Sequence, residues 1–522
     1  MNFLDPSNIG AVPAQSRAIK QATVWAEESL FGHRLWARQT PWLLFLEFLN
    51  VAEAFLREGK DALFSGTDPE ALRPYKMRYR MGLRNILYNS EELSRIANAP
   101  FDDEAKWKVW LESMNGTGLD GGYDYLRQRF SKFRDFAELV TLVRQTTLES
   151  HTNRRWSSRF IFPFGVNALY SDAIVKDVGP QPDFNNFGRT GEILYMMLSR
   201  SSGAARLREK FAEILDPALP KNQLVARLCA PGDDHADREQ KGETYLPYRE
   251  HPAFNRLASD WLAVLDLKLP EQDAYAHLVP LGALHVVLYQ LETAAALAGR
   301  SKRPHMICEM IAPRREFVRQ RAIISYQDND TLSLLALNAE LDRVFASPEW
   351  AVIHQEELSE AERFDRAIGF IEKRFSFTGN SGRSAGVSDL VEQLRQEVEG
   401  KHDVSCGKVH SDYGRYIGLA SRRGTNRTRY APTDALLKTL VITRVPKRLE
   451  FKRFLADLYD HYGFVFGDAE ARHALDANDF DSSAFERNRS RLEARLASMG
   501  MLNRLSDGCA YVINPFASQE VR

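Results

Sequence analysis

The sequence predicts a mainly α protein, with a multi-helical body followed by a C-terminal domain that adds a small β-hairpin to its helices. Three observations lead there. Apolar residues recur at helical spacing through the long segments, as Leu43, Leu44, Phe48, Val51, Ala52 and Phe55 do in Pro41–Arg57. The clearest apolar–polar alternation, MLNRL then CAYVIN, brackets a Ser-Asp-Gly turn near the end of the chain and reads as a hairpin. Charge is also segregated. Lys408–Arg453 holds twelve Lys or Arg against Asp412, Asp434 and Glu450, a local charge of +9 in a chain whose total is −1.

At 522 residues the chain exceeds one ordinary core. The expected division is an N-terminal helical domain at 1–150, a central helical domain at 151–375 that is either separate from the first or continuous with it, then a linker, helix and basic loop at 376–431, and a C-terminal domain at 432–522. The main boundary falls in the Gly- and Ser-rich Phe375–Ser388. Four scattered cysteines with no Cys-x-x-Cys pair suggest neither a disulfide framework nor a zinc ribbon. Without a signal-like leader or an uninterrupted apolar span, the expectation is a cytoplasmic protein with no membrane partner.

Along the body, the pattern predicts helices at Pro41–Arg57, Tyr75–Leu87 (with Lys76, Arg78, Arg80 and Arg84), Trp107–Met114, Gly191–Ser199 and Ala205–Ile214. Further helices are expected at Ala253–Leu267, Leu278–Ala298, Leu332–Phe345 and Glu360–Arg374, the last opened by a Ser359/Glu362 capping box. A helix at Leu390–Glu399 is expected to stop at Gly400. Gly116, Gly118 and Gly121 satisfy a Gly-x-Gly-x-x-Gly pattern, but a helix leads into them, so a helix–helix turn is the better account. Arg154, Arg155 and Arg159, interleaved with Trp156 and Phe160, suit either strand-like core or single-strand stacking. Asp233, Asp234, His235, Asp237 and Glu239 read as a polar loop.

The tail opens with a loop at Tyr413–Arg429, rich in Arg, Gly and Asn, which delivers Arg415, Arg422, Arg423, Arg427 and Arg429 to the start of a helix. Pro432 and Asp434 suit a helix N-terminus, and the helix runs Ala435–Ile442. An extended stub at Leu449–Phe451, a helix at Lys452–His461, and a short helix from Gly467 to about Leu475 follow. The last helix, Phe485–Ser498, carries Arg487, Arg489, Arg491 and Arg495 around a core side of Leu492 and Leu496.

A basic helix followed at once by a hairpin resembles the recognition helix and wing of winged-helix (helix-turn-helix) DNA-binding domains, over residues 433–515. The resemblance implies double-stranded DNA as partner. Arg487 and Arg491 would enter the major groove beside Arg495, and Asn488 would reach a base edge. Arg504 on the hairpin would meet phosphate or the minor groove, while Arg415, Arg422, Arg423, Arg427 and Arg429 would neutralise backbone charge. The phrases YIGLASRRGTNRTRY, FLADLYDHYGFVFG and LNRLSDGCAYVINPF also resemble accessory proteins of bacterial anti-phage defence loci, which implies partner nuclease or ATPase subunits.

No phosphate loop, His-Glu-x-x-His or Gly-x-Ser-x-Gly occurs, so no catalytic residue and no cofactor is expected. His402, Cys406 and His410 fall at i, i+4, i+8, which would align ligands on one helical face. Gly407 interrupts that helix and no fourth ligand follows, so no metal site is expected. Asp260, Asp266 and Lys268 resemble half of a metal-dependent nuclease site, but on a helix. The alternatives to a non-enzymatic DNA-binding subunit are thus a nuclease with a degenerate site and a dimeric transcriptional regulator.

Overall fold

The computed structural model describes residues 4, 22–33, 35–65, 76–77, 80–88, 90–115, 122–145, 165–169, 173–176, 179–182, 188–231, 238–239, 246–310, 316–354, 358–379, 386–422, 427–506 and 509–517. The fold is mainly α, with 21 helices among those residues and strands of no more than five residues. Its axis is the helix Glu271–Leu297, buried on all sides from Leu278 to Ala295. A helix apolar all round needs neighbours all round. Here they are the helices Ala22–Phe31, Pro41–Glu58, Pro252–Asp266, Phe317–Phe345, Val409–Tyr416 and Asp434–Arg444. It is also the one described helix long and apolar enough to cross a membrane by length and composition, and 94% of its apolar window is buried inside the fold.

Thr40 caps Pro41–Glu58, whose Phe48 packs edge-on against Trp261 at 4.9 Å while Phe55 stacks on Tyr195 at the same separation. Where this helix crosses Thr190–Ser199, Gly191 lets the backbones touch. A Cβ there would sit 2.7 Å from both the Glu47 Cβ and the Phe48 nitrogen. Glu47 accepts hydrogen bonds from the Arg189 and Gly191 amides at 2.9 and 2.7 Å, capping the second helix from outside. Burial, with Glu192 nearby, pushes the Glu47 carboxyl up to about 7.

Several expected elements change extent. Phe317–Phe345 begins fifteen residues before the expected start, and Val387–His402 continues through Gly400. Tyr75–Leu87 is not one helix: Lys76–Met77 is a short strand paired with Arg238–Glu239, and Met81–Tyr88 is the helix. Arg80 is buried, donating to the Val166 carbonyl, so it does not belong to an exposed basic face. The capping box at Ser359 and Glu362 is present. Gly116, Gly118, Gly121, Arg78, Arg154, Arg155, Arg159, Asp233, Asp234, His235, Asp237 and the middle of the expected linker lie outside the described residues, as does the Arg84 side chain.

The C-terminal elements run in the order Asp434–Arg444 (helix), Arg448–Glu450 (strand), Phe451–Tyr462 (helix), Asp468–Ala474 and Ser482–Ser498 (helices), then strands Leu502–Ser506 and Cys509–Ile513. The hairpin's second strand lies between the other two, antiparallel to both, with Tyr511 opposite Glu450 and Asn503. This region shares the body's core. Phe464–Val465 pairs in parallel with Met306–Ile307, and Phe485, Val465 and Ala471 pack with Ile307, Val318 and Ala322 in one buried cluster. Each large side chain buried so contributes about 1.5–3 kcal/mol.

Candidate nucleic-acid interface

The helix Ser482–Ser498 starts where Asp481 accepts from the Ala484 amide at 3.1 Å, and Gly500 follows its end in the left-handed region at φ +71°. Its buried stripe is Ala484, Phe485, Asn488, Leu492 and Leu496. Asn488 therefore points inward. Its amide donates to the Cys308 and Phe466 carbonyls at 3.0 and 2.8 Å and accepts from the Met310 amide at 2.8 Å. In this fold the side chain joins two backbone segments and does not face solvent, so the base-edge role read for it has no access to a base.

The arginines flanking that stripe meet acids. Arg491 donates to both Glu316 oxygens at 2.6 and 2.7 Å, with Arg487 more exposed at 3.9 Å from the same carboxylate. Arg495 pairs with Asp434 and donates to the Pro432 carbonyl, and Arg489 pairs with Asp468. On the hairpin, Arg504 lies 3.7 Å from Glu493.

Tyr413–Arg429 is not simply a loop. Tyr413 closes the helix Val409–Tyr416 into the core, its hydroxyl donating to the Trp36 carbonyl, and Ala420–Ser421 pairs with Arg429–Tyr430. Arg429 is buried against Glu309, while Arg415 pairs with Asp412 three residues before it. Arg422 and Arg427 are exposed; Arg423 lies outside the described residues. The fold thus places the nine described contact candidates on separate elements, and mostly beside carboxylates.

A second set of cations is freer. Lys438, Lys447, Arg448, Lys452 and Arg453 are all exposed along the helix Asp434–Arg444, the edge strand Arg448–Glu450 and the start of the next helix. Arg448 lies over the Tyr511 ring at 5.1 Å and Lys438 over Phe516 at 5.4 Å, so both ring faces carry a cation. The acid beside them is Glu450, 3.7 Å from Arg453, an exposed pair of small weight. The local charge contained this set, but only the strand pairing shows that Arg448 and Tyr511 share a sheet face.

Beneath this surface lies a buried polar hub. Asp260 Oδ2 accepts from His285 Nε2 and the Tyr462 hydroxyl, both at 2.7 Å, and Oδ1 from His461 Nε2 at 2.9 Å and Arg444 Nη1 at 3.1 Å. Burial raises a carboxyl, but the hydrogen bonds from His285 and His461 outweigh it and hold Asp260 well below the usual range. Burial pushes His285 down to about 4, so at neutral pH its ring is neutral and Arg444, shared with Asp457, balances the charge. The nuclease-like set is not assembled. Asp266 lies on the surface with Arg206 and Lys210, away from buried Asp260.

His402 and Cys406 do come together, but with Glu27 in place of His410. His410 sits between Asp330 and the Tyr430 hydroxyl, at 2.8 and 2.7 Å. No protein-family model, curated protein or solved structure matches the chain.

Proposed function

We propose that this chain is a non-enzymatic, DNA-binding accessory subunit of a bacterial multi-protein system of the anti-phage defence kind. On this reading the helical body docks partner proteins, nuclease or ATPase subunits among them, and the C-terminal region binds double-stranded DNA as a winged helix. The observation that carries the reading is topological. Helix, short strand, helix, helix and hairpin follow in winged-helix order, with the hairpin's second strand paired to the short strand. The module departs from the simplest pattern by inserting Phe464–Val465 and Asp468–Ala474 before the last helix.

The duplex backbone meets Lys438, Lys447, Arg448, Lys452 and Arg453, with Arg422 and Arg427 toward the other end of Asp434–Arg444. That helix is about 16 Å long at 1.5 Å per residue. Five phosphates neutralised would give log K against log salt a slope of about −4.5. The test is fluorescence anisotropy of a labelled duplex with the full chain and with a K447E/R448E/R453E variant at several salt concentrations. Binding with a steep salt slope, reduced at least tenfold in the variant at low salt, is the expected result. No duplex binding at low salt, or unchanged binding by the variant, overturns the reading.

A further inference from the structure

Two buried groups bring three metal-ligating side chains together, and the distances separate them. Around Asp260, His285 and His461 both carboxylate oxygens already accept two donors each. The Arg444 guanidinium stands 3.1 Å from Asp260 Oδ1 and 3.4 Å from His461 Nε2, where a second cation would be repelled. Around Glu27, His402 and Cys406 no lysine or arginine is paired with the set among the described residues, and the other donor to Glu27 besides His402 is the neutral Ser405 hydroxyl, at 3.2 and 3.3 Å from its two oxygens.

We propose that Glu27, His402 and Cys406 bind one divalent ion of the zinc class, with water as the fourth ligand. Their donor atoms all lie within 4.8 Å of one another, and Glu27 Oε1 is 2.9 Å from His402 Nδ1. Small adjustments, with Glu27 and His402 parting slightly to admit the ion, bring such a set to zinc distances of about 2.0–2.3 Å. The mixed oxygen, nitrogen and sulfur set suits a borderline-soft ion and not magnesium or calcium.

The surroundings are those of ligands. Ser333 Oγ lies 3.0 Å from His402 Nε2, and in the tautomer that protonates Nε2 this contact orients the ring and leaves Nδ1 as a lone-pair donor. Gln290 Nε2 donates to Cys406 Sγ at 3.3 Å and to the Cys406 carbonyl at 2.8 Å, contacts that steady a thiolate. The Oε1 of the same side chain is buried without a partner, and a metal-bound water is the kind of donor it lacks.

Gly407 makes the turn possible. A Cβ there would stand 2.7 Å from the His402 carbonyl oxygen and 3.0 Å from its Nε2. Any larger residue would push Cys406 off the ring. Binding replaces the Cys406 S–H bond, intact in an ordinary thiol at neutral pH, by a metal–sulfur bond and releases one proton to solvent, while the His402 proton moves from Nδ1 to Nε2. The ion would then tie the helix Ala22–Phe31 to the end of Val387–His402.

The test uses the full chain, stripped with chelator and titrated with cobalt(II), followed by elemental analysis after zinc loading. One ion per chain is expected, with a thiolate-to-cobalt absorption band, release of one proton, and loss of the band in Cys406→Ser. A Cys509→Ser variant, changed on the hairpin, keeps the band and shows that loss at Cys406 is specific. A full chain that takes up no ion overturns the proposal. So does a band that persists in Cys406→Ser or disappears equally in Cys509→Ser.

Discussion

Replacing Asp260 by alanine and by asparagine separates two contributions to the buried hub. Alanine leaves His285, Tyr462, His461 and Arg444 without the carboxylate to which all four donate. Removing one partner of a buried pair costs about 3–5 kcal/mol because the remaining polar groups stay desolvated. That is a large share of the roughly 5–15 kcal/mol by which proteins are stable. Asparagine keeps one oxygen for two donors and presents N–H groups to the other two. His285 can accommodate this by carrying its proton on Nδ1, which has no partner now, and accepting at Nε2. The Tyr462 hydroxyl can rotate to accept, and Arg444 keeps both oxygens of Asp457, each at 2.8 Å. The asparagine variant should therefore lose only about 1–2 kcal/mol, the weight of a charged hydrogen bond. Urea unfolding followed by tryptophan fluorescence reads both. Asp260 and His285 belong to the body and Arg444, His461 and Tyr462 to the C-terminal region, so an alanine variant destabilised by less than about 1 kcal/mol would refute a tying role for the hub. Equal losses in the two variants would refute the tautomer argument.

Asn488→Ala should destabilise the fold by about 2–3 kcal/mol, since two carbonyls and an amide lose their buried partner, and should leave the salt slope of duplex binding unchanged. A changed base preference at unchanged urea midpoint would instead return Asn488 to the base edge. Burial pushes His251, His277 and His285 each down to about 4, so the native state keeps them neutral while the unfolded chain protonates below about 6.5. Stability from these groups is full above that pH and falls through the window down to 4, by about 1.4 kcal/mol per unit for each. Glu47, raised to about 7, runs oppositely between its unfolded value and 7, so these four groups together take up about two protons on unfolding near pH 5.5, with His305, also lowered by burial, adding to the uptake and Glu470, raised by burial, subtracting from it. The pH dependence of the urea midpoint gives the total uptake, and His285→Gln should lower it by about one proton.

Helices were legible because their apolar spacing is local information, and their extents failed where burial depends on distant partners. In the first half of Phe317–Phe345 the apolar stripe is short, Val318, Ala322, Ile323 and Tyr326, and polar Ser325 and Asn329 complete the buried face through hydrogen bonds to the His305 carbonyl and, for Asn329, to the Tyr430 hydroxyl. Gly400 signals a helix end, but nothing crowds it and the turn simply continues to His402. The hairpin was plain from alternation, whereas its third strand, Arg448–Glu450, gained its identity only by pairing with Tyr511–Ile513. For the candidate interface, sequence gave the number of cations but not their counter-ions. Glu309 and Glu316 stand more than a hundred residues from Arg429 and Arg491, which they hold. Glu27 carried no signal at all, since nothing in its own helix marks it as a neighbour of His402.

Local net charge therefore overstates what a phosphate can reach, and Glu316 offers the means to measure by how much. A phosphate approaching Arg491 must displace a carboxylate held through both oxygens, whereas one approaching Arg448 faces exposed side chain over a tyrosine ring. Glu316→Gln preserves the size of the residue that precedes Phe317–Phe345 and removes the charge that holds Arg491 and attracts Arg487. If duplex DNA lies close enough to use those two arginines, each freed contact should steepen the log K against log salt slope by about 0.9, giving a change of about −1.8 for both. Affinity at low salt would rise accordingly. If DNA runs only along Lys447 to Arg453, the slope stays as in the unchanged chain. A weaker, shallower interaction in Glu316→Gln would contradict both geometries, because removing an acid from beside a phosphate-binding surface can only relieve repulsion.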